Sequence, residues 1–444
     1  MLRGIIVALL VWAALRNPTF AQELLQRRAD EAAGIIAEKP SWPENLFDGS
    51  FTAKVSTSQL SAIGTQLFGK CGAITAVQRT SSKGAHFGTF DLITTRGFVV
   101  PMTIGLEAAS PNQVSTLFFG APMPMLKSLD EAVAALRTLG GKVSFGVWRL
   151  GDGAPQPLVQ LEADLPLGIG SAFKLYVLGA LVQEVLDGKR ALADVATLTS
   201  ADRSLPSGQL QDWPGGSPVT LATAANLMIS RSDNTATDLL MHALGRERVE
   251  AMLAPMGMQD PGRTRPFLTT AEMFRLKFVD GGKAATAYAA IDEAGRRDFL
   301  MTRLPRGPLT MDSVDLGAFT SPSHIDSIEW FASAADLARA MDWLRRNTEG
   351  PTPASAPLLR GALSINPGLA ISDRQFPWIG FKGGSEPGVL NLTFLLKRAD
   401  GEWFAIAATW NDPDESLDEQ AFMPIVQRAI WVLGNESAPK AAKP

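Results

Sequence analysis

Three short groups of residues have types and spacings that could do chemistry together. Ser171-Ala172-Phe173-Lys174 sets a hydroxyl three residues before an ammonium, inside the apolar stretch Ile169 to Val185. If Ala172 to Asp187 is a helix opening near Ser171, the two side chains fall on one face, one above the other. The ammonium then lies within hydrogen-bond reach of the hydroxyl, as a catalytic pair would require. A lysine in so apolar a stretch must face a partner or a solvated slot, and burial there disfavours its charged form. The free N–H groups of a helix start would serve a developing oxyanion. The spacing by itself is a weak signal, because Ser437 to Lys440 repeats it in the tail. The bland alternative is an N-capping serine and an exposed lysine.

Ser232-Asp233-Asn234 stands between two apolar helical stretches, Leu221 to Ile229 and one beginning at Thr235. All three residue types cap helices and form turns, so the group reads either as a cap or as a working set. In the second reading Ser232 carries a proton to a leaving nitrogen, Asn234 orients Lys174 and a substrate amide, and Asp233 is structural. Lys382-Gly383-Gly384-Ser385 precedes a strand-like run, Gly388 to Lys397. Two glycines allow a ligand to approach the backbone closely. The Ser385 N–H would then pair with that of Ser171 as an oxyanion hole, and Lys382 would offer charge to a substrate carboxylate while depressing the pKa of Lys174. An ordinary Gly-rich turn is the alternative.

Other chemistries find little support. Three scattered histidines and a single cysteine, Cys71, show no zinc-ligand spacing and permit no intramolecular disulfide. Neither His86, His242 nor His324 lies in a nucleophile-elbow context that a Ser-His-Asp triad would need. No cofactor is implied. A formal net charge of -4 leaves no electrostatic footprint for nucleic acid. Cys71 reads as a small buried packing residue.

The elements that must position these groups follow from periodicity and turn residues. With 444 residues, the chain exceeds one ordinary domain. Residues 1–21 read as an export signal, with Arg3 before the apolar run Gly4 to Leu15 and Thr19-Phe20-Ala21 as cleavage site. That run is too short to span a bilayer, so the expected location is periplasmic or secreted, without a stable membrane span. Residues 22–42 are expected to be a helix, Glu23 to Glu38, and a linker. Residues 43–122 are expected to form a small α+β domain, with one helix (Ser58 to Phe68) and strands at Gly72–Gln78, His86–Thr94, Phe98–Leu106 and Val114–Phe119. Ala121-Pro122-Met123-Pro124 reads as a linker. The second domain, 128–435, opens with a helix (Leu129 to Leu139) and strands at Lys142–Leu150 and Leu158–Leu161. After a helix-rich middle come strands at Gly388–Lys397 and Trp403–Trp410 and a helix from Leu417 to Leu433. Strands from both ends of this stretch imply one sheet. Residues 436–444 read as a disordered tail.

The order of the three groups resembles the S-x-x-K, S-D-N and K-T-G set of class A β-lactamases and penicillin-binding proteins. The wording around the second, Leu227-Met228-Ile229 through Leu239-Leu240, is also similar to that family, and the resemblance covers roughly Leu129 to Leu433. It implies a β-lactamase/transpeptidase-like fold, antiparallel sheet plus helical domain, behind a small NTF2/cystatin-like domain. It makes Ser171 the acylated nucleophile, Lys174 the base for acylation, Ser232 the proton shuttle, and Asn234, Lys382, Gly383, Gly384 and Ser385 the substrate and oxyanion contacts. The two-domain order resembles the accessory protein of clavulanic acid biosynthesis, whose first domain is isomerase-like. Ester chemistry therefore stands beside lactam chemistry, and the small domain reads as structural or substrate-gating.

Two departures bear on activity. Gly383 stands where the family places a hydroxyl residue. The E-x-x-L-N loop that supplies the family's deacylation base is missing in its usual form, since no asparagine occurs between Asn234 and Asn347. Gly262 to His324 reads as an insertion or remodelled loop, and Glu329 beside Trp330 is the candidate water-activating carboxylate. Three functions stay open: hydrolysis of β-lactams, hydrolysis of an ester or cell-wall acyl substrate, and a catalytically silent penicillin-binding module. All three take a small-molecule acyl or β-lactam ligand.

Overall fold

The computed structural model describes residues 18–205, 207–305, 309, 314, 320–349 and 356–435, which fall into two compact units with the chain passing from one to the other between Leu126 and Lys127. The expected signal at 1–21 lies almost wholly outside the described residues, and the tail at 436–444 lies entirely outside them. Among the described residues no helix is long and apolar enough to cross a membrane.

The first unit is an antiparallel meander of β1 (Ile74–Ser82), β2 (Phe87–Thr94), β3 (Phe98–Leu106) and β4 (Val114–Phe119), with a short β5 (Met123–Pro124) also paired to β3. The helix Thr57–Cys71 begins in a capping box, Ser56 with Gln59. Its Leu60 and Cys71 are buried with Phe90, Leu92, Val100, Met102 and Ile104 of the sheet. Two expectations change here. The helix Pro18–Ala33, read as preceding the domain, buries Leu25, Ala29 and Ala32 in the same core. It ends at Ala33 rather than at Pro40: the next residues bond three positions back, Ile35 N to Ala32 O and Ile36 N to Ala33 O, and the Gly34 carbonyl accepts from Ser41 N. The residues read as a linker include β5, which the sheet of the first unit claims.

The second unit is built on a five-stranded antiparallel sheet in the order β12-β13-β14-β6-β7. Its strands are β6 (Lys142–Leu150), β7 (Gln156–Leu161), β12 (Trp378–Glu386), β13 (Val389–Lys397) and β14 (Trp403–Asn411). Strands from the two ends of the unit thus share one sheet, as expected for a β-lactamase/transpeptidase-like fold. β13 and β14 are buried almost throughout, since helices cover the central strands. Helices Ala334–Thr348 and Ala356–Ser364 pack against this sheet, as do Leu129–Leu136 and Glu419–Asn435. Helices Leu221–Ser230, Asn234–Leu244, Arg246–Leu253 and Thr270–Phe278 lie in the middle of the chain, with a two-stranded ribbon of β9 (Val195–Thr197) and β10 (Pro218–Thr220). Among the described residues, the long segment after Gly262 contains the α-helices Thr270–Phe278, Lys283–Ala289 and Glu293–Thr302. β12 went unread from the sequence, so Lys382 to Ser385 sit inside a strand rather than in a turn before one. Two adjacent glycines remove the side chains that signal a strand, and the reason for them is tertiary.

Candidate active site

The helix Lys174–Leu186 is apolar on all sides because it runs through the core, and every residue from Lys174 to Val182 is buried. Ser171 does not belong to that helix. It lies in a 3₁₀ turn, Gly170–Phe173, directly before it. In a 3₁₀ turn residues three apart eclipse, so Lys174 stands over Ser171 more squarely than an α-helix would place it. Lys174 Nζ is 3.0 Å from Ser171 Oγ.

Several contacts fix the turn. The short strands β8 (Leu167–Gly168) and β11 (Phe331–Ala332) pair just before it. Asn411, at the end of β14, accepts from Gly168 N and donates to Gly168 O at 2.8 and 2.9 Å. Phe173 stacks on Trp330 with ring centroids 3.7 Å apart. On the far side β12 lies directly on the turn: a Cβ on Gly384 would stand 2.1 Å from Ile169 O and 2.5 Å from Ser171 N. Gly384 therefore admits no side chain, and the Ser385 amide comes beside Gly170, at 3.1 Å from where a Cβ of Gly170 would be.

Ser232, at φ 54°, occupies the left-handed region that non-glycine residues seldom visit. This conformation turns both its carbonyl and its hydroxyl toward Lys174, whose Nζ donates to Ser232 O at 2.7 Å and lies 3.1 Å from Ser232 Oγ. Asn234 Oδ1 accepts from the same amine at 2.6 Å, while its Nδ2 donates to Leu205 O. Asp233, wholly buried, caps the helix Asn234–Leu244 through Ala236 N and accepts from Gln209 N and Leu210 N. It is a structural member of the group. Lys382 Nζ lies 3.1 Å from Ser232 Oγ and donates to Gly383 O. The serine hydroxyl of Ser232 is thus shared between two buried amines.

Burial is the main cause of the electrostatics. Lys174 is fully enclosed, and the lost hydration holds its pKa well below the ordinary lysine value, with the Lys382 charge adding to that and Asp238 and Asp233 opposing it. Desolvation brings Lys382 down to about 7. Lys174 therefore gives up its proton more readily than an ordinary lysine.

The groups border one cavity of about 720 Å³, lined among others by Ser171, Ser232, Lys382, Phe381, Glu329 and Glu386. Phe381 explains Gly383. A Cβ there would lie 2.7 Å from Phe381 Cζ and 3.0 Å from Asn391 O, so an aromatic ring fills the space that a hydroxyl side chain would use. Glu329 lies at the rear. Its Oε1 takes Lys277 at 3.1 Å, and its Oε2 accepts from Gly170 N at 3.3 Å and Trp330 N at 3.1 Å. With both oxygens engaged and its side chain 1% exposed, Glu329 serves first to hold the turn before Ser171. Sequence reasoning missed three charged residues that the fold brings here. Lys277 and Glu386 form an ion pair at 2.5 Å, and Asp238 accepts from Thr270 N and Ala271 N at the start of the helix Thr270–Phe278. A lysine and an acid at otherwise apolar positions were the available signal, but their partners are about 50 and 110 residues away in the chain.

The architecture of the second unit, a five-stranded antiparallel sheet with a helical region and a serine–lysine pair between them, is that of the β-lactamase-like serine hydrolases. Residues 127–421 match the model of the β-lactamase enzyme family, and the chain belongs to that family. Among solved structures it is similar to a β-lactamase from Sphaerobacter thermophilus, at 24% identity over 69% of this chain and 96% of that one, with a TM-score of 0.48. PBP-A is similar at 17% identity over 68% and 93%, with a TM-score of 0.45. A β-lactamase from Chitinophaga pinensis is similar at 15% identity over 69% and 96%, with a TM-score of 0.45. Comparison with curated proteins found no match.

Proposed function

We propose that the protein is a serine hydrolase acylated at Ser171 by β-lactams, with Lys174 as the base that takes the hydroxyl proton. The observation that carries this reading is the position of a wholly buried, charge-disfavoured amine 3.0 Å from Ser171 Oγ. Lys174 takes the proton as Oγ attacks the carbonyl. Ser232, within 3.1 Å of both Lys174 and Lys382, then passes it to the leaving nitrogen. The amides of Ser171 and Ser385 receive the oxyanion. Lys382 supplies positive charge toward a substrate carboxylate, without the hydroxyl contact that Gly383 lacks. We further propose that the protein is exported and cleaved near Gln22, which N-terminal sequencing of the secreted form tests.

An ester substrate is the second reading. Phe381 at the cavity wall favours it, since the ring replaces a polar contact for a substrate carboxylate with an apolar one. The experiment is intact-mass analysis of the protein after exposure to benzylpenicillin, beside steady-state turnover of a chromogenic cephalosporin and a short-chain aryl ester. A single adduct mapping to Ser171, absent in Ser171→Ala and unchanged in Ser437→Ala, is expected, followed by slow turnover at neutral pH. Fast ester turnover with no penicillin adduct would replace the first reading by the second. No adduct and no turnover would leave a silent binding module.

A further inference from the structure

A buried cluster behind the Ser171 turn is not used by the acylation chemistry. Lys277, with its side chain 0% exposed, lies between two carboxyl groups, Glu329 at 3.1 Å and Glu386 at 2.5 Å. The two acids are not equivalent. Glu329 borders the same cavity, but its side chain is 1% exposed and its oxygens are engaged by Lys277 and by the Gly170 and Trp330 N–H groups. Glu386 keeps an 18% exposed side chain on the cavity that holds Ser171. Its place on β12 matters. Side chains alternate along a strand, so Glu386 shares a face with Lys382 and Gly384, and Gly384 is the residue whose backbone lies against Ser171. Lys382 and Glu386 stand two residues to either side of that contact on the strand, and both line the cavity. The E-x-x-L-N loop is missing, and these residues bring a carboxyl group to the Ser171 turn by a different route.

We propose that Glu386, held by Lys277 and backed by Glu329, is the base that activates water for release of the acyl group from Ser171. The inference rests on the acylation of Ser171 proposed above. In the step, the water oxygen bonds to the acyl carbon while the water proton passes to the Glu386 carboxylate. As the tetrahedral adduct collapses, the bond from carbon to Oγ breaks, and Glu386 returns the proton to Oγ. The free acid leaves and both residues regain their starting forms. Glu329 and Lys277 are positioning residues: they set the place and the proton affinity of Glu386 without touching the ester.

The charges around Glu386 give the step a pH signature. Lys277 and Glu329 face it directly, Lys382 stands on its own strand face, Glu419 lines the same cavity, and His324 lies within electrostatic reach of Lys277. Two carboxylates against one ammonium leave surplus negative charge in a dry place. Burial first, and the Glu329 charge second, push the Glu386 carboxyl well above the ordinary glutamate range. Deacylation therefore speeds up as pH rises and Glu386 loses its proton.

The test acylates the full-length protein with benzylpenicillin, removes the excess, and follows loss of the Ser171 adduct by intact mass across pH. In Glu386→Gln the amide oxygen still accepts from Lys277, so the adduct should form; its decay should slow by roughly 10² to 10⁴-fold, the usual worth of a general base, and the rise of decay with pH should vanish. Glu329→Gln removes the neighbouring charge, so the same rise should persist and move to lower pH. An adduct that decays in Glu386→Gln at the wild-type rate with the rise intact overturns the proposal. Equal slowing of adduct formation and decay in Glu386→Gln also overturns it, since that is what a merely structural residue would do. If Glu386→Gln does not fold, Glu386→Ala substitutes, since it also removes the carboxylate, and unchanged decay with the pH rise intact there overturns the proposal in the same way. Wild-type protein that never forms the adduct sinks the acylation reading itself, an outcome distinct from an adduct whose decay ignores Glu386.

Discussion

At the scale of single residues, the site holds two amines, Lys174 and Lys382, whose charged forms burial disfavours. Lys174 makes four short contacts, to Ser171, Asn234 and both oxygens of Ser232, in a place where its charge is unfavourable. Lys174→Ala is expected to cut the acylation rate by roughly 10² to 10⁴-fold, measured as the pre-steady-state burst. Lys382→Ala should act differently. The Lys382 charge is one of the causes that lower the Lys174 pKa, so its removal lets that pKa rise and moves the midpoint of acylation to higher pH. Because Lys382 itself loses its proton near pH 7, the shift should be largest on the acid side of neutrality. A pH profile of acylation that does not move in Lys382→Ala, or a faster burst in Lys174→Ala than in Lys382→Ala, would exchange or remove these roles.

At the scale of elements, catalytic geometry depends on how closely a strand lies on a turn. β12 meets the 3₁₀ turn of Ser171 at Gly384, where a methyl group would collide with the backbone at Ile169 and Ser171. Backbone cannot swing aside as a side chain can, so Gly384→Ala must separate strand from turn. It should lose penicillin labelling and cost about 1–3 kcal/mol of stability, the usual cost of overpacking. Gly383→Ala meets the tip of the Phe381 side chain and, less closely, the Asn391 carbonyl oxygen; a side chain can shift where the backbone at Gly384 cannot, and labelling should survive. Thermal melts and intact-mass labelling of the two variants distinguish them; Gly384→Ala labelled at the wild-type rate would show that this contact does not set the site. The same close approach explains why β12 was illegible from sequence. The two glycines look like a turn in a single chain, and their purpose exists only where another element presses against them.

At the scale of the whole molecule, the helical region of the second unit is tied by long-range polar contacts as well as local ones. The pair His242–Asp202, Nδ1 to Oδ1 at 2.7 Å, links residues 40 apart beside a second cavity of about 440 Å³. The hydrogen bond to Asp202 raises the His242 pKa above its ordinary 6.5. The folded state then binds a proton that the unfolded chain has released, so the stabilisation is fully present below pH 6.5 and is lost as pH rises through the raised value. Melting temperature should fall across that window, and His242→Ala should flatten the fall. A wild-type melting curve indifferent to pH there, or an unaltered slope in His242→Ala, would show that this pair does not report on stability.

How much of this was legible in the chain follows from what can be read locally. Ser171 and Lys174 could be singled out because three residues of separation on one turn is a local relation, and Ser232 with Asn234 because capping chemistry is local too. The strands β6, β13 and β14 were legible from hydrophobic runs bounded by turn residues, as were the four strands of the first unit. The 3₁₀ form of the Ser171 turn, the strand around Gly383 and Gly384, and the membership of the helix Pro18–Ala33 in the first core were not, since each depends on what packs against it. Glu329 was singled out by its position beside Trp330, but what it does follows from Lys277 and from the Gly170 and Trp330 amides. Glu386 gave only the signal of an acid at an otherwise apolar position. Its pairing with Lys277, 109 positions earlier in the chain, exists only where folding brings the two within hydrogen-bond distance, because desolvation and charge act through space and leave no mark on sequence spacing.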